Sequence, residues 1–227
     1  MIHYDLPHGA KAFTCGVGCH GTEPGIDARE TGLTEGTFHV PSSHLMIPRQ
    51  THSTNVEWVD HAGEVPDTDA VITDVRGLCV AVKTADCIPV LLYDERQQLV
   101  AAVHAGWRGT VGRIVEKTIV KMNSRGADLH AIIGPGISLD AFEVGDEVYD
   151  TFLREGFPME RIAQRYPSAN QTTKWHIDLW DANRWLLESC GVTRIHTANV
   201  CTFNSSDYYS ARRDTIKTGR NINGIVL

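Results

Sequence analysis

Three side chains able to bind a metal or attack a carbon stand at the ends of apolar runs: His52 in RQTHS, Cys87 in TADCIP and His104 in VHAGWRG. Strand ends and the loops that follow them are where folds commonly place sites. Two imidazoles and one thiolate would make a three-ligand zinc site with a fourth position open to water or substrate. The same groups would equally serve as a Cys–His nucleophile pair, one histidine acting as base. A purely structural role is the third alternative, since cysteine is among the most buried residue types. Gaps of 35 and 17 residues match no local metal-ligand motif, so only the fold can bring the three together.

Other groupings carry less. Gly106, Gly109 and Gly112 space as G-x-x-G-x-x-G, which is not the dinucleotide pattern and suits a tight turn into a helix, itself able to hold an anion. Cys15, Cys19 and His20 form C-x3-C-H without a second pair at suitable spacing, which favours structure. Asp67 and Asp69 in PDTDAVIT resemble a carboxylate pair but are expected to cap the turn before a strand. Neither G-x-S-x-G nor the H-x-E…P-C-x-x-C nucleobase-deaminase signature occurs. Arg49 precedes His52 by three residues and Arg108 follows His104 by four, while Arg212, Arg213 and Arg220 cluster in SARRDTIKTGR. In an acidic chain such arginines suit an anionic substrate group such as phosphate, or surface ion pairs.

The elements that must position these groups are legible from residue 48 onward. AVIT (70–73), LCVAV (78–82), IPVLLYD (88–94) and QLVAAVH (98–104) read as buried strands, the last two joined by a hairpin at ERQQ. GTVGRIVEKTIVKMNSRG switches to helical spacing and is expected to stop at Gly126. HAIIG is a further strand. VGDEVYDTFLREG is a helix with Val144, Val148 and Phe152 on one face, and DLWDANRWLLESCG is a helix from its N-cap Asp178 to Gly191. IHTANVCTF and INGIVL supply late strands, and the first 47 residues look irregular. Strict βαβ alternation is absent, so the expected class is α/β (mixed α+β): a single-domain layered sandwich with mixed β-sheets flanked by helices.

Composition bounds the rest. The 227 residues, 42% hydrophobic and 22% charged, suit an ordinary globular core. A net charge of -7 argues against nucleic acid as main partner. No run approaches a membrane span, and MIHYDLPHGAKAF lacks the features of a signal peptide, so a cytoplasmic protein without a membrane partner is expected, acting as a monomer or small homo-oligomer. Six cysteines then read as reduced residues: buried, ligating or nucleophilic.

TADCIPVLLYD, VHAGWRGTV, IIGPGISLDAFEVGDEV and CTF followed by YSARRD and KTGR closely resemble the multicopper-polyphenol-oxidase or laccase-domain family, also called YfiH-like, in order from about residue 48 to the C-terminus. The resemblance implies one YfiH-like domain over 1–227, with 1–47 a divergent, shortened N-terminal part. It implies Zn²⁺ held by His52, Cys87 and His104. It also implies cleavage of adenosine, inosine, guanosine or methylthioadenosine with phosphate, and deamination of adenosine. Links of the family to peptidoglycan-precursor editing and to Cys–His deamidases imply the alternative of an amidohydrolase. Two departures bear on substrate range: Ser53 replaces the usual glycine, and F-[ST]-T-R-x-G-G is degraded to FTCGVGCH, losing its arginine.

Laccase chemistry itself conflicts with the sequence, because a type 1 copper and a trinuclear cluster need many paired histidines. The chain has 11 histidines and no H-x-H. A His₂Cys site with one open position instead suits Zn²⁺ as Lewis acid or water activator, although copper could enter it in vitro. For phosphorolysis, Arg49 and Arg108, with Arg220 third, are the expected clamps on phosphate. Asp86, beside Cys87, is read as a ligand-supporting residue, proton carrier or turn residue, and Gln50 as a substrate hydrogen-bonder. The leading expectation is therefore a zinc-dependent purine nucleoside phosphorylase with adenosine deaminase activity. The alternatives are a Cys87-nucleophile amidohydrolase acting on peptidoglycan precursors, and a non-catalytic module.

Overall fold

A computed structural model describes residues 1–167 and 173–227. The chain begins with strands β1 (Ile2–Asp5) and β2 (Lys11–Cys15), a one-turn helix α1 (Ala28–Thr31), the hairpin β3 (Leu33–Glu35) and β4 (Phe38–Val40), and the short β5 (Leu45–Met46). The middle supplies β6 (Val56–Trp58), β7 (Ala70–Thr73), β8 (Cys79–Thr84), β9 (Ile88–Asp94) and β10 (Leu99–Ala105), then helices α2 (Trp107–Val111) and α3 (Ile114–Met122). After them come β11 (Leu129–Ile133), β12 (Glu143–Val144), α4 (Asp146–Arg154), α5 (Met159–Ile162), β13 (Ala163–Pro167), β14 (Thr173–Ile177) and α6 (Leu179–Ser189). The chain closes with β15 (Arg194–Thr197), α7 (Ala211–Asp214) and β16 (Asn221–Val226).

Two mixed sheets pack face to face, one ordered β1-β2-β16-β8-β5 and the other β15-β11-β9-β10-β7-β6. Each central strand sends alternate residues to two cores, which is why these strands read as continuous apolar runs. Leu91, Tyr93, Val100 and Ala102 fill the layer between the sheets. Val90, Leu92, Ala101 and Val103 turn to the other face, against Ile114, Ile119, Phe152 and Leu186 of the helices. Phe13, Cys15, Leu33 and Leu45 make a third cluster on the outside of the first sheet. The class is thus a mixed α+β sandwich with helices covering one face. Among the described residues no helix is long and apolar enough to cross a membrane.

Five details differ from expectation. The first 47 residues are not irregular: β2 lies inside the first sheet, paired along Ile222–Val226 of the C-terminal strand, and the glycines close on either side of it, Gly9, Gly16 and Gly18, hid it. The helix expected over 109–126 starts earlier, at Trp107, and breaks at Gly112–Arg113, where Arg113 is left-handed (φ 60°). That helix ends at left-handed Asn123 rather than Gly126. Val144 belongs to β12, and the strand expected over 195–203 is instead Arg194–Thr197, because the following chain turns to bond back toward Gly136. Asp178 does cap α6, its carboxylate accepting the Asp181 N–H at 2.9 Å.

Candidate metal and substrate site

Antiparallel register explains the 17-residue gap. Strands β9 and β10 form a hairpin in which His104 pairs with Pro89 and Ala105 with Ile88, so Cys87, just before β9, lies beside the end of β10. His52 comes from the loop joining β5 in one sheet to β6 in the other, and Cys87 from the turn joining β8 to β9 across the same gap. Both crossings lie at one end of the sandwich. There the Cys87 Sγ is 3.8 Å from His52 Nε2, and the His52 and His104 rings meet edge to face at 4.9 Å between centroids. One ligating atom from each of the three residues lies within 4.8 Å of the others, a group able to hold a metal ion. Close approach at this point requires Gly106, since a Cβ there would sit 3.0 Å from Cys87 Sγ and 3.2 Å from His52 Cδ2.

A residue that sequence reasoning assigned only to capping organises this end of the fold. Asp69 is fully buried, and its carboxylate accepts the backbone N–H groups of Thr51 (3.1 Å), His52 (3.1 Å) and Ser53 (2.8 Å) and the Ser53 hydroxyl (2.7 Å). It also bonds His104 Nδ1 at 2.7 Å. The carboxylate thus caps a turn, but that of the His52 loop, and holds His52 in a left-handed conformation (φ 61°). With Nδ1 engaged, the free donor of His104 is Nε2. The only sequence signal was an aspartate directly before a fully apolar strand.

Electrostatics here run against burial. Burial alone would lower His104, but the Cys87 sulfur and the Asp69 carboxylate outweigh it and raise its pKa to about 9. Burial would likewise raise Cys87, yet His104 and His52 bring it down to about 6. Without metal, the pair at neutral pH is therefore thiolate and imidazolium.

The group floors a cleft of about 510 Å³, within the range of small-molecule sites. Arg49, Gln50 and Arg220 line it, together with Arg29, Lys83 and Glu64, which sequence reasoning missed. Lys83 was readable as a lysine ending an apolar strand beside TADC; Arg29 and Glu64 gave no signal. Arg29 bonds Asp27 through Nε at 3.0 Å and contacts Glu64, while Lys83 Nζ is 3.5 Å from Asp27. Arg49 keeps 64% of its side chain exposed, 3.8 Å from Glu64. Arg220 spends its guanidinium on the carbonyls of Ile216, Thr218 and Gly219. Gln50 clamps the Lys83 backbone through both amide atoms, at 2.8 and 2.7 Å.

Four other residues face elsewhere. The Asp86 carboxylate accepts the Thr202 hydroxyl and the Arg212 N–H, each at 2.7 Å, and so ties down the loop that carries Ala211 to the cleft rim. The exposed Arg108 guanidinium stacks 4.3 Å over the Trp107 ring and is not among the residues lining the cleft. Arg212 and Arg213 bond main-chain carbonyls, and Arg213 also pairs with Asp214.

The family described as multi-copper polyphenol oxidoreductase laccase matches residues 13–227. A purine nucleoside phosphorylase of Bacteroides thetaiotaomicron is 42% identical over 219 residues, covering 89% of this chain and 80% of the relative. An adenosine deaminase, RL5, from an unknown prokaryotic organism is 39% identical over 216 residues, covering 88% and 80%. Among solved structures, the YfiH protein of Bacillus licheniformis superposes with a TM-score of 0.80 at 25% identity, covering 96% of this chain and 92% of that one.

Proposed function

The chain belongs to the multi-copper polyphenol oxidoreductase laccase family, and on that premise we propose that it is a zinc-dependent purine nucleoside phosphorylase with adenosine deaminase activity. The observation that carries this is the convergence of His52, Cys87 and His104 on the floor of a cleft lined by four cations and one carboxylate. The names of the relatives, a purine nucleoside phosphorylase and an adenosine deaminase, support it. Cleft-lining residues run from Arg29 to Arg220, which supports treating 1–227 as one unit.

The donor set fits zinc. A tetrahedral zinc with one thiolate and imidazole ligands holds its donors about 3.6 Å apart, against the 3.8 Å between Cys87 Sγ and His52 Nε2. His104 offers Nε2 with its tautomer fixed by Asp69, and the cleft leaves one side open. Zinc bound there would supply Lewis acidity toward a water or substrate atom placed beside it.

The chain's own residues account for the rest. Arg49, with Arg29 and Lys83 behind it and Arg220 through the N–H groups its three carbonyl bonds leave over, would hold phosphate so that one oxygen bonds C1′ as the N9–C1′ bond breaks and the base leaves with its electron pair. Pro48, Ala85, Ala211 and Ile216 give apolar walls for the purine. Gln50 positions rather than binds, since the Lys83 backbone occupies its amide. The test is release of hypoxanthine from inosine with and without phosphate. Release is expected only with phosphate, and no release at any phosphate concentration contradicts the proposal.

Cys87 beside His104 and Asp69 also has the layout of a nucleophile, base and orienter, which keeps a Cys87 amidohydrolase as the second possibility. Alkylation separates the two. In metal-free protein the rate at Cys87 is expected to fall as pH drops through about 6, where the thiolate is protonated, rather than near the ordinary value of about 8.5. Zinc is expected to suppress alkylation; full reactivity in the metal-loaded enzyme, with turnover surviving chelation, favours the amidohydrolase.

A further inference from the structure

We propose that Cys15, Cys19 and Glu35 form a second metal site, for a thiophilic divalent cation of the zinc class, separate from the His52–Cys87–His104 centre. Two sulfurs and a carboxylate oxygen lie within 4.8 Å of one another here. Both cysteines are completely buried.

The local chain brings them together. Cys15 ends β2, and a tight turn closed by the Cys19 N–H on the Gly16 carbonyl (3.3 Å) folds Cys19 back toward it. Gly18 takes the left-handed conformation (φ +89°) that this turn requires. His20 and Thr34 then exchange backbone hydrogen bonds at 2.8 and 3.2 Å, which sets Cys19 beside β3 and its last residue, Glu35. C-x3-C-H spacing suggests His20 as the third donor, yet its ring turns outward to Glu23 at 3.2 Å. The third donor comes instead from a strand 16 residues beyond Cys19.

A second observation points to a cation. Glu35 Oε2 is buried and finds no hydrogen-bond donor among the described residues, next to a cluster containing Phe13, Leu33, Leu45 and Ile222. The other oxygen, Oε1, pairs with the Met1 ammonium at 3.0 Å; the buried Oε2 keeps its lone pairs unengaged, which is costly, and a bound cation offsets that cost. Two thiolates with one carboxylate suit zinc or cadmium better than a hard oxygen-seeking ion. Binding displaces the two thiol protons to solvent and leaves a cluster of net charge −1, offset by the Met1 ammonium that pairs with Glu35 Oε1. The site would staple the 15–21 turn to β3. Directly after that turn, the Thr22 carbonyl accepts the backbone N–H of Arg220, a residue lining the substrate cleft, at 2.9 Å.

Cadmium alone is the probe, added to reduced, chelator-stripped full-length protein and read by thiolate-to-metal charge-transfer absorption and by bound metal per chain. Wild type is expected to take two ions. The His52→Ala/Cys87→Ala/His104→Ala variant is expected to keep one, and adding Cys15→Ala and Cys19→Ala to remove it. Glu35→Gln, in the same triple background, preserves the side chain's shape and is expected to weaken the remaining site by more than about tenfold, since even outer-shell partners of metals are worth about 10–100-fold. The proposal is overturned if the triple variant binds no cadmium, or if its ion survives loss of both cysteines. It is equally overturned if Cys15 and Cys19 are found joined as a disulfide that excludes metal.

Discussion

In the Cys87→Ala protein, phosphate-dependent release of hypoxanthine from inosine falls by about 10³-fold or more, and the zinc held by this centre is lost. Losing one preorganised electrostatic donor already costs about 10²–10³ in rate. Cys87 is the one thiolate ligand of the proposed set, placed 3.8 Å from His52 Nε2 by the β8–β9 turn. The methyl of alanine fits where Sγ stood, so the fold is retained and circular dichroism should match wild type. Turnover near the wild-type rate with zinc still bound to His52 and His104 would remove Cys87 from the chemistry. Loss of turnover with full zinc retention would instead mark it as a nucleophile.

The Asp69→Asn protein is expected to be less stable by about 3 kcal/mol, since each buried donor left unpaired costs about 1–3 kcal/mol. It should also bind zinc about 10–100-fold more weakly. The wild-type carboxylate serves three backbone N–H groups, the Ser53 hydroxyl and His104 Nδ1. An amide has one acceptor oxygen, so part of the 51–53 loop and the His104 ring lose their anchor together. The pH dependence has a definite sign. Burial alone would raise the Asp69 pKa, but hydrogen bonds from His104 and Ser53 hold it well below the usual carboxylate range. Its folded-state value therefore lies below the unfolded value of about 3.9. Its contribution is complete above that unfolded value and is lost as pH falls through the folded one. Urea titrations should show this acid-side loss in wild type and not in Asp69→Asn; identical slopes would leave Asp69 without its assigned role.

How far the sequence reached follows from which interactions are local. Cys87 and His104 flank one hairpin, and the apolar runs 88–94 and 98–104 with the polar ERQQ between them were enough to pair them. Reach to His52 depended on a loop crossing between two sheets, which no periodicity encodes, and there only the resemblance of the motifs supplied the link. Asp69 was misjudged because its partners, residues 51–53 and 104, are neighbours across strands rather than along the chain. Arg108 looked poised toward the site from its spacing, but at the second position of α2 it projects onto its neighbour Trp107. The strands of the first 47 residues were hidden by brevity, β3 and β4 having three residues each. The pairing partner of β2, β16, lies at the other end of the chain.

The central claim is that His52, Cys87 and His104 hold the zinc on which phosphorolysis depends. Its most direct measurement follows both products of inosine cleavage in phosphate before metal removal, after chelation and after zinc is restored. Hypoxanthine and ribose 1-phosphate in equal amounts, both stopping on chelation and returning with zinc, is the predicted result. Hypoxanthine formed without ribose 1-phosphate, or cleavage that continues once the metal is gone, would contradict it.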